Sequence, residues 1–210
     1  MTETMIRIMF VLGIAGHAIN MYCDRILSIF PNGTIKFANI KEVRKDGVLA
    51  NMMEGVSADV PMRSAVLGAF ALVLEFFSYF ALAIYTYERS PILGAIMFVA
   101  VTIASVVGAA FHVKCALAEY VFLKLGRDSR GKELAMDLLD TAPVLKICGA
   151  GLFLYLVVLM IAIVTGVIGF PVWAVLFTML PIAVLLFPLK IIGTLHIAAM
   201  ISMFAWIFFI

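Results

Sequence analysis

The sequence predicts an all-α protein, a polytopic transmembrane helix bundle with six spans. Its 210 residues are 65% hydrophobic and 13% charged, whereas a soluble domain is nearer half apolar and a quarter charged. The apolar residues form runs of about 20, the length that an α-helix needs to cross a bilayer. Most Lys and Arg residues fall in the gaps on one side of these runs, which is typical of multi-pass membrane proteins.

The predicted spans use most of the chain, so we expect a single transmembrane domain over residues 1–210. The spans are predicted at about 6–27, 62–87, 91–123, 143–169, 171–187 and 189–210. Spans two to six each have a proline near their first turn, where a missing N–H is tolerated, and Ser90 and Thr141 are suited to cap spans three and four. Pro181 falls inside span five and predicts a kink. One long tilted helix over the last two spans is the alternative.

The distribution of Lys and Arg predicts the orientation of the spans. Twelve of the fifteen lie on one side, in or beside the loops 28–61 and 124–142 and the last turn: Arg25, Lys36, Lys41, Arg44, Lys45, Arg63, Lys124, Arg127, Arg130, Lys132, Lys146 and Lys190. The other side has Arg7 and Arg89, and the remaining residue, Lys114, lies inside span three or at its edge. Because cytoplasmic loops carry the excess of basic residues, both termini are predicted to be non-cytoplasmic, in a multi-pass protein of the inner membrane.

The two large loops contain short helical patterns. In 48–56, apolar residues recur at helical spacing, which predicts either a solvated connector or an amphipathic helix on the inner leaflet. A second helix is predicted over 131–140, and 33–40 alternates weakly as an extended segment does. The three cysteines, Cys23, Cys115 and Cys148, are interpreted as small buried hydrophobic residues.

Ionisable side chains inside the spans are the candidate functional residues, because such groups are costly in a bilayer and face a partner or a cavity. In span one, His17, Asn20 and Asp24 lie on one helix face at i, i+3 and i+7. In span three, His112 and Glu119 repeat this spacing. The small residues Ala104 and Gly108 on the same face favour a position inside the bundle.

Helix lengths predict which of these residues meet. At ~1.5 Å per residue, His196 and Asp24 reach similar depths near the cytoplasmic side, with His112 and Glu119 at the rim. Glu75 lies near the bilayer centre, where a lone carboxylate needs a partner, and His17 is the nearest candidate. The sequence therefore predicts a cytoplasm-facing pocket of His and carboxylate groups that binds a proton, ion, small solute or lipid.

Three functions remain open. The preferred one is binding or transport through this pocket, and whether the chain is an enzyme stays open. The second is a metal-dependent lipid hydrolase, in which His17, Asp24, His112 and His196 hold zinc or another divalent metal. The third is a structural or accessory subunit. Membrane lipids are the expected partners, a small bundle favours a homo-oligomer, and a net charge of +2 gives no reason to expect nucleic acid.

Three segments carry a family resemblance: MYCDRILSIFP after the first span, MRSAVLGAF at the start of the second, and AFHVKCALAEYVF in the third. The chain resembles a family of uncharacterised bacterial multi-pass membrane proteins with an acidic residue ending the first helix and a His in the third. This resemblance implies a similar six-span fold and no particular activity. The chain departs from the alkaline ceramidase-like hydrolases, because their paired HxxxH is missing.

Overall fold

The structure, a computed structural model, describes residues 1–36, 39–140 and 143–210, and the predicted cap Thr141 lies outside them. The described part of the chain is mostly helical and includes one short antiparallel hairpin of β1 (Ile29–Phe30) and β2 (Gly33–Thr34). The α-helices are α1 (Glu3–Ile26), α2 (Ile40–Val43), α3 (Val48–Met52), α4 (Asp59–Tyr87), α5 (Pro91–Lys124), α6 (Ser129–Asp140), α7 (Val144–Val164), α8 (Met179–Leu186) and α9 (Thr194–Phe209).

Among the described residues, four helices are long and apolar enough to cross a membrane: α1, α4, α5 and α7. Their bounds lie within five residues of the first four predicted spans. Thr2 begins α1 by accepting a hydrogen bond from the backbone N–H of Met5. Pro91 occupies the first turn of α5, and Ser90 is the cap residue as predicted, although its side chain makes no capping hydrogen bond.

The last two predicted spans are shorter and less regular than expected. A 3₁₀ helix over Val172–Phe177 ends at Thr178, whose backbone is extended, and α8 starts one residue later. The prediction of a kink at Pro181 is wrong, because Pro181 lies in the first turn of α8. A single long helix is also wrong, because Lys190 and Gly193 adopt left-handed backbone conformations between α8 and α9.

The long helices pack in the spatial order α9, α1, α4, α5 and α7, and α8 lies against α9. Glycines let these helices approach closely. A Cβ at Gly16 of α1 would lie 2.7 Å from the carbonyl oxygen of Ala71, and one at Gly151 of α7 would lie 2.9 Å from that of Ala100. The prediction that the face of span three bearing Ala104 and Gly108 points inward is confirmed, since both residues are buried.

The contacts at one end of the bundle bring together the N-terminus, the α4–α5 turn, the segment after α7 and the C-terminus. The Met1 amino group is 2.6 Å from Glu88 Oε1. The ring of Phe170 lies 6.1 Å from that of Tyr85 and 5.4 Å from that of Phe209. These four chain segments therefore lie at one end of the bundle.

A small apolar cluster, which we call the cap, covers the opposite end. It contains Phe30, Val43, Leu49, Met52, Met53, Ala118, Phe122 and Ala135. The alternative in which 48–56 lies on the lipid surface is wrong, because the apolar face of α3 packs into this cluster. Exposed ion pairs surround the cap, including Arg44 Nη2 at 2.5 Å from Asp140 Oδ1. That hydrogen bond holds the pKa of the Asp140 carboxyl below its ordinary value.

Candidate functional site

Three helices position the polar residues in the bundle interior. The i, i+3, i+7 spacing places His17, Asn20 and Asp24 on the face of α1 between α4 and α9. Glu75 lies on α4, which approaches α1 closely at Gly16. His196 lies in the first turn of α9 because that helix starts inside the bundle, after the left-handed Gly193.

Two imidazoles and one carboxylate converge at the centre of the site, and we call His17, Glu75 and His196 the inner triad. The Nδ1 atoms of His17 and His196 are 2.9 Å apart. Glu75 Oε1 lies 3.2 Å from His17 Nδ1 and 3.6 Å from His196 Nδ1. The exposed fractions of the His17, Glu75 and His196 side chains are 4%, 7% and 16%. These three atoms are grouped closely enough to hold a metal ion.

Neighbouring groups hold the deep side of the inner triad. The Nε2 atom of His17 is 2.9 Å from the hydroxyl of Tyr79, and that hydroxyl donates to Met179 Sδ at 3.7 Å. Asn20 Nδ2 donates to Glu75 Oε1 at 3.0 Å. Asn20 Oδ1 is buried and has no hydrogen-bond partner among the described residues. The orientations of His17 and Glu75 are thus set by groups outside the triad.

Asp24 joins the inner triad to the more exposed side of the site. Its Oδ2 atom is 3.2 Å from His196 Nε2, and its Oδ1 atom is 3.7 Å from His112 Nδ1. The Asp24 side chain is 38% exposed, so exposure rises along the contacts from Glu75 through His196 to Asp24. The site is therefore reached from the end of the bundle that carries the cap and the basic loops.

His112 is fixed by α4 and not by the inner triad. Its Nε2 atom is 3.0 Å from the carbonyl oxygen of Ser64 and 3.2 Å from the Ser64 hydroxyl. The hydroxyl also donates to the carbonyl oxygen of Cys23. A methyl group at Gly68 would overlap with the imidazole of His112. His112 therefore links α1, α4 and α5 through Asp24 and Ser64.

The structure differs in two ways from the predicted pocket. The atoms of His17, Glu75, His196 and Asp24 contact one another directly, so the predicted open pocket is filled by its own side chains. The predicted metal ligands His17, Asp24, His112 and His196 also do not converge on one point. Instead, Glu75 lies beside His17 and His196. Asp24 contacts the other ring nitrogen of His196, and His112 contacts only Asp24 among these residues.

Among the described residues, no contact joins Glu119 to the inner triad. Its Oε2 atom is buried elsewhere on α5 and has no hydrogen-bond partner among those residues. Its helical spacing from His112 correctly puts both on one face of α5. That face is longer than the site, so the two residues lie two helical turns apart and meet different neighbours.

Sequence reasoning missed two residues of the site. Ser64 holds His112, and the small size of Gly68 makes room for the imidazole. Small and hydroxyl residues are common at helix contacts, so the pattern Ser64-xxx-Gly68 in the second span was the available signal. Tyr79 lies one helical turn after Glu75 on α4, and its contact with His17 became visible only in the fold.

The hydrogen-bond roles at the inner triad leave room for one cation. In its carboxylate form Asp24 only accepts hydrogen bonds, so His196 Nε2 donates to it, and Nδ1 of a neutral His196 presents a lone pair to His17. Glu75 Oε1 is a second acceptor at the same point. A proton on His17 Nδ1 satisfies this arrangement, and a metal ion in place of that proton would satisfy it too.

The fold and the site define a class: a helical membrane protein with a buried His/carboxylate cluster at the junction of three helices. The chain belongs to a family of unknown function, DUF6796, and the match covers residues 1–210. No curated protein and no solved structure matches the chain.

Proposed function

We propose that the protein is a cation carrier of the inner membrane, in which the inner triad binds a cation that enters at Asp24. One observation carries this proposal: an unbroken series of contacts leads from the buried Glu75 through His17 and His196 to the half-exposed Asp24. Ionisable groups linked in this way inside a membrane mark ion and proton pathways.

The closed side of the site supports a carrier with access from one side at a time. Beyond His17, the space between α1 and α9 is filled by apolar groups, and the ring centroids of Phe10 and Trp206 are 5.7 Å apart. Tyr79 and Tyr155 are buried on the same side and joined by a hydrogen bond from the Tyr155 hydroxyl to the Tyr79 carbonyl oxygen. A cation at the inner triad is thus separated from that end.

Interrupted helices at the site also favour transport. The first residue of α8, Met179, contacts Tyr79, and α9 begins two residues before His196. Helices that start at the depth of a binding site are a feature of secondary transporters, because they can tilt separately from the continuous helices. The break at Thr178 and the turn at Gly193 are the natural hinges.

The proposal includes six membrane spans, with the Asp24 end facing the cytoplasm and lipid acyl chains against the outer faces. The excess of Lys and Arg beside Asp24 supports this orientation. The 3₁₀ part of the fifth segment rises ~2.0 Å per residue against ~1.5 Å in an α-helix, which lengthens the reach of a short segment. A single cysteine is placed at residue 3 or at residue 130 and is labelled in intact cells with membrane-impermeant and membrane-permeant reagents. The orientation is tested by which position reacts with the impermeant reagent.

Flux into vesicles tests the carrier function. Protein reconstituted in liposomes is given a pH gradient with pyranine inside, or a Zn²⁺ gradient with a fluorescent chelator inside. We expect flux of at least one cation above that of empty vesicles, loss of it in Glu75→Gln, and no loss in Glu3→Gln, a matched change at an exposed position of α1. Equal flux in wild type, Glu75→Gln and empty vesicles would overturn the proposal.

A metal-dependent lipid hydrolase is the second candidate, and the composition of the inner triad favours it. Two histidines and one glutamate form the ligand set of some catalytic zinc sites, with the fourth position left for water. Release of fatty acid from phospholipid or ceramide by the Zn²⁺-loaded protein, lost in Glu75→Gln, would favour the hydrolase. Cation flux without lipid turnover would favour the carrier.

A further inference from the structure

The three ligand atoms of the inner triad are spaced as a transition-metal ion requires. In a tetrahedral zinc site with bonds of ~2.0–2.1 Å, the ligand atoms lie about 3.3 Å from one another. The separations of His17 Nδ1, His196 Nδ1 and Glu75 Oε1 are 2.9, 3.2 and 3.6 Å. From those separations, a point ~2.0 Å from all three atoms exists without any movement of the side chains.

Building on the proposed cation site, we propose that the inner triad binds a divalent first-row transition metal, with His17 Nδ1, His196 Nδ1 and Glu75 Oε1 as ligands. Imidazole nitrogen suits Zn²⁺, Fe²⁺, Co²⁺ and Ni²⁺, whereas Mg²⁺ and Ca²⁺ prefer oxygen ligands. Two nitrogens and one oxygen therefore select against the commoner hard cations.

The groups behind the ligands support this assignment. Histidine ligands usually donate their second ring N–H to a carboxylate or another oxygen, which fixes the tautomer and the ring orientation. Here His196 Nε2 faces Asp24 Oδ2 at 3.2 Å, and His17 Nε2 faces the Tyr79 hydroxyl at 2.9 Å. With both Nε2 atoms donating, both Nδ1 atoms keep a lone pair for a cation, and both lie within 3.6 Å of Glu75 Oε1.

An unsatisfied acceptor beside the triad is the second, independent observation. Asn20 is 3% exposed, and its Nδ2 atom is bonded to Glu75 Oε1, which leaves Oδ1 buried without a partner among the described residues. Buried amide oxygens are ordinarily hydrogen-bonded. A water bound to the metal at its open position would donate to Asn20 Oδ1.

Metal binding by the purified protein tests this inference. The detergent-solubilised protein is stripped with a chelator and titrated with Zn²⁺ or Co²⁺ against a chromophoric competitor, with Mg²⁺ and Ca²⁺ in parallel. We expect one Zn²⁺ per chain, visible absorption from bound Co²⁺, and no competition by millimolar Mg²⁺. Because second-shell groups tune metal affinity by about 10–100-fold, Asp24→Asn should weaken binding by that factor, and His196→Asn by more.

His112→Asn is the matched control, because it makes the same change two contacts beyond the triad, on the far side of Asp24, and should retain Zn²⁺ binding. Size-exclusion profiles identify any variant that fails to fold. The Co²⁺ spectrum of the wild type tests the metal site without any variant. Absence of Zn²⁺ binding by the wild type, or equal losses in His196→Asn and His112→Asn, would overturn the metal site. Proton flux that depends on Glu75 would in that case still support the carrier, so the two proposals fail separately.

Discussion

The inner triad and the ion pairs around the cap both place acids beside bases, but in opposite surroundings. In the triad, the side chains of His17 and Glu75 are 4% and 7% exposed. At the cap, those of Arg44 and Asp140 are 42% and 54% exposed, although their contact is shorter. Water and salt screen the exposed pair, so it contributes little to stability. Water does not reach a buried pair, so removal of one partner leaves the other as a buried charge with no partner.

This difference teaches that burial, and not contact distance, indicates where the chain depends on its polar residues. The cap is held together by apolar packing of Met53 and Phe122, with ion pairs on its surface. The triad is surrounded by apolar residues, but its direct contacts are with one another and with polar side chains. Changes at the triad should therefore alter both function and stability, whereas changes at the exposed pairs should alter neither strongly.

The largest expected effect on stability comes from Glu75→Ala. This change removes the carboxylate that lies beside His17 and His196 and accepts a hydrogen bond from Asn20. We expect a loss of about 3 kcal/mol, the lower end for a broken buried ion pair, because polar groups of a membrane protein also find partners in the unfolded state. Unfolding in detergent measures the loss, and a change indistinguishable from that of Asp140→Ala would contradict the comparison.

Gly68→Ala should have the next largest effect. The added methyl group would overlap with the imidazole of His112, so the ring or α5 must move. Forcing atoms into a packed interior costs ~1–3 kcal/mol. Gly149→Ala is the control, because a Cβ at Gly149 of α7 meets nothing within 4 Å. Thermal unfolding should place Gly68→Ala below the wild type and Gly149→Ala at or above it, and the reverse order would contradict the packing of His112.

Tyr79→Phe should have a smaller effect. It removes the hydroxyl that contacts His17 Nε2 and Met179 Sδ but keeps the ring. Hydrogen bonds between membrane helices contribute about 0.6 kcal/mol on average, so the expected loss is of that order. Tyr22→Phe, at a ring that is 53% exposed, should cause none. A loss in Tyr22→Phe as large as that in Tyr79→Phe, measured by unfolding in detergent, would count against the buried network.

The smallest effect is expected for Asp140→Asn. Arg44 lowers the pKa of Asp140 in the folded state, so the pair's contribution is present above the ordinary carboxyl pKa and is lost as the pH falls through the lowered value. The unfolding temperatures of wild type and Asp140→Asn should therefore differ slightly at pH 6, and the difference should shrink as the pH falls below the ordinary carboxyl pKa. High salt should remove the difference at pH 6. A large difference that persists at high salt would contradict the small contribution expected of this exposed pair.

Helical periodicity explains how much of this could be predicted from the sequence. The spacing of His17, Asn20 and Asp24 predicted one polar face of α1, and the depth of Glu75 predicted its pairing with His17. The meeting of His17 with His196 depends on where α9 begins, at the left-handed Gly193, which hydropathy does not show. The same holds for the break at Thr178, because an apolar run continues through it.

Contacts across helices explain why the residues of the inner triad were predicted only in part. His17 and His196 were recognised, but Asp24 and His112 were favoured over Glu75, which was predicted to lie nearer the bilayer centre. Which oxygen points at which nitrogen depends on how closely α1 and α4 approach at Gly16. Packing at that scale is set by the glycine's neighbours on another helix and has no periodic signal.

The initial rate of cation flux in vesicles, compared between wild type and Glu75→Gln at equal amounts of reconstituted protein, tests the central claim most directly. Gln keeps the size of the side chain and removes its charge. The account predicts that proton or Zn²⁺ flux falls to the level of empty vesicles in Glu75→Gln while Glu3→Gln matches the wild type. Undiminished flux in Glu75→Gln would contradict the inner triad as the cation site.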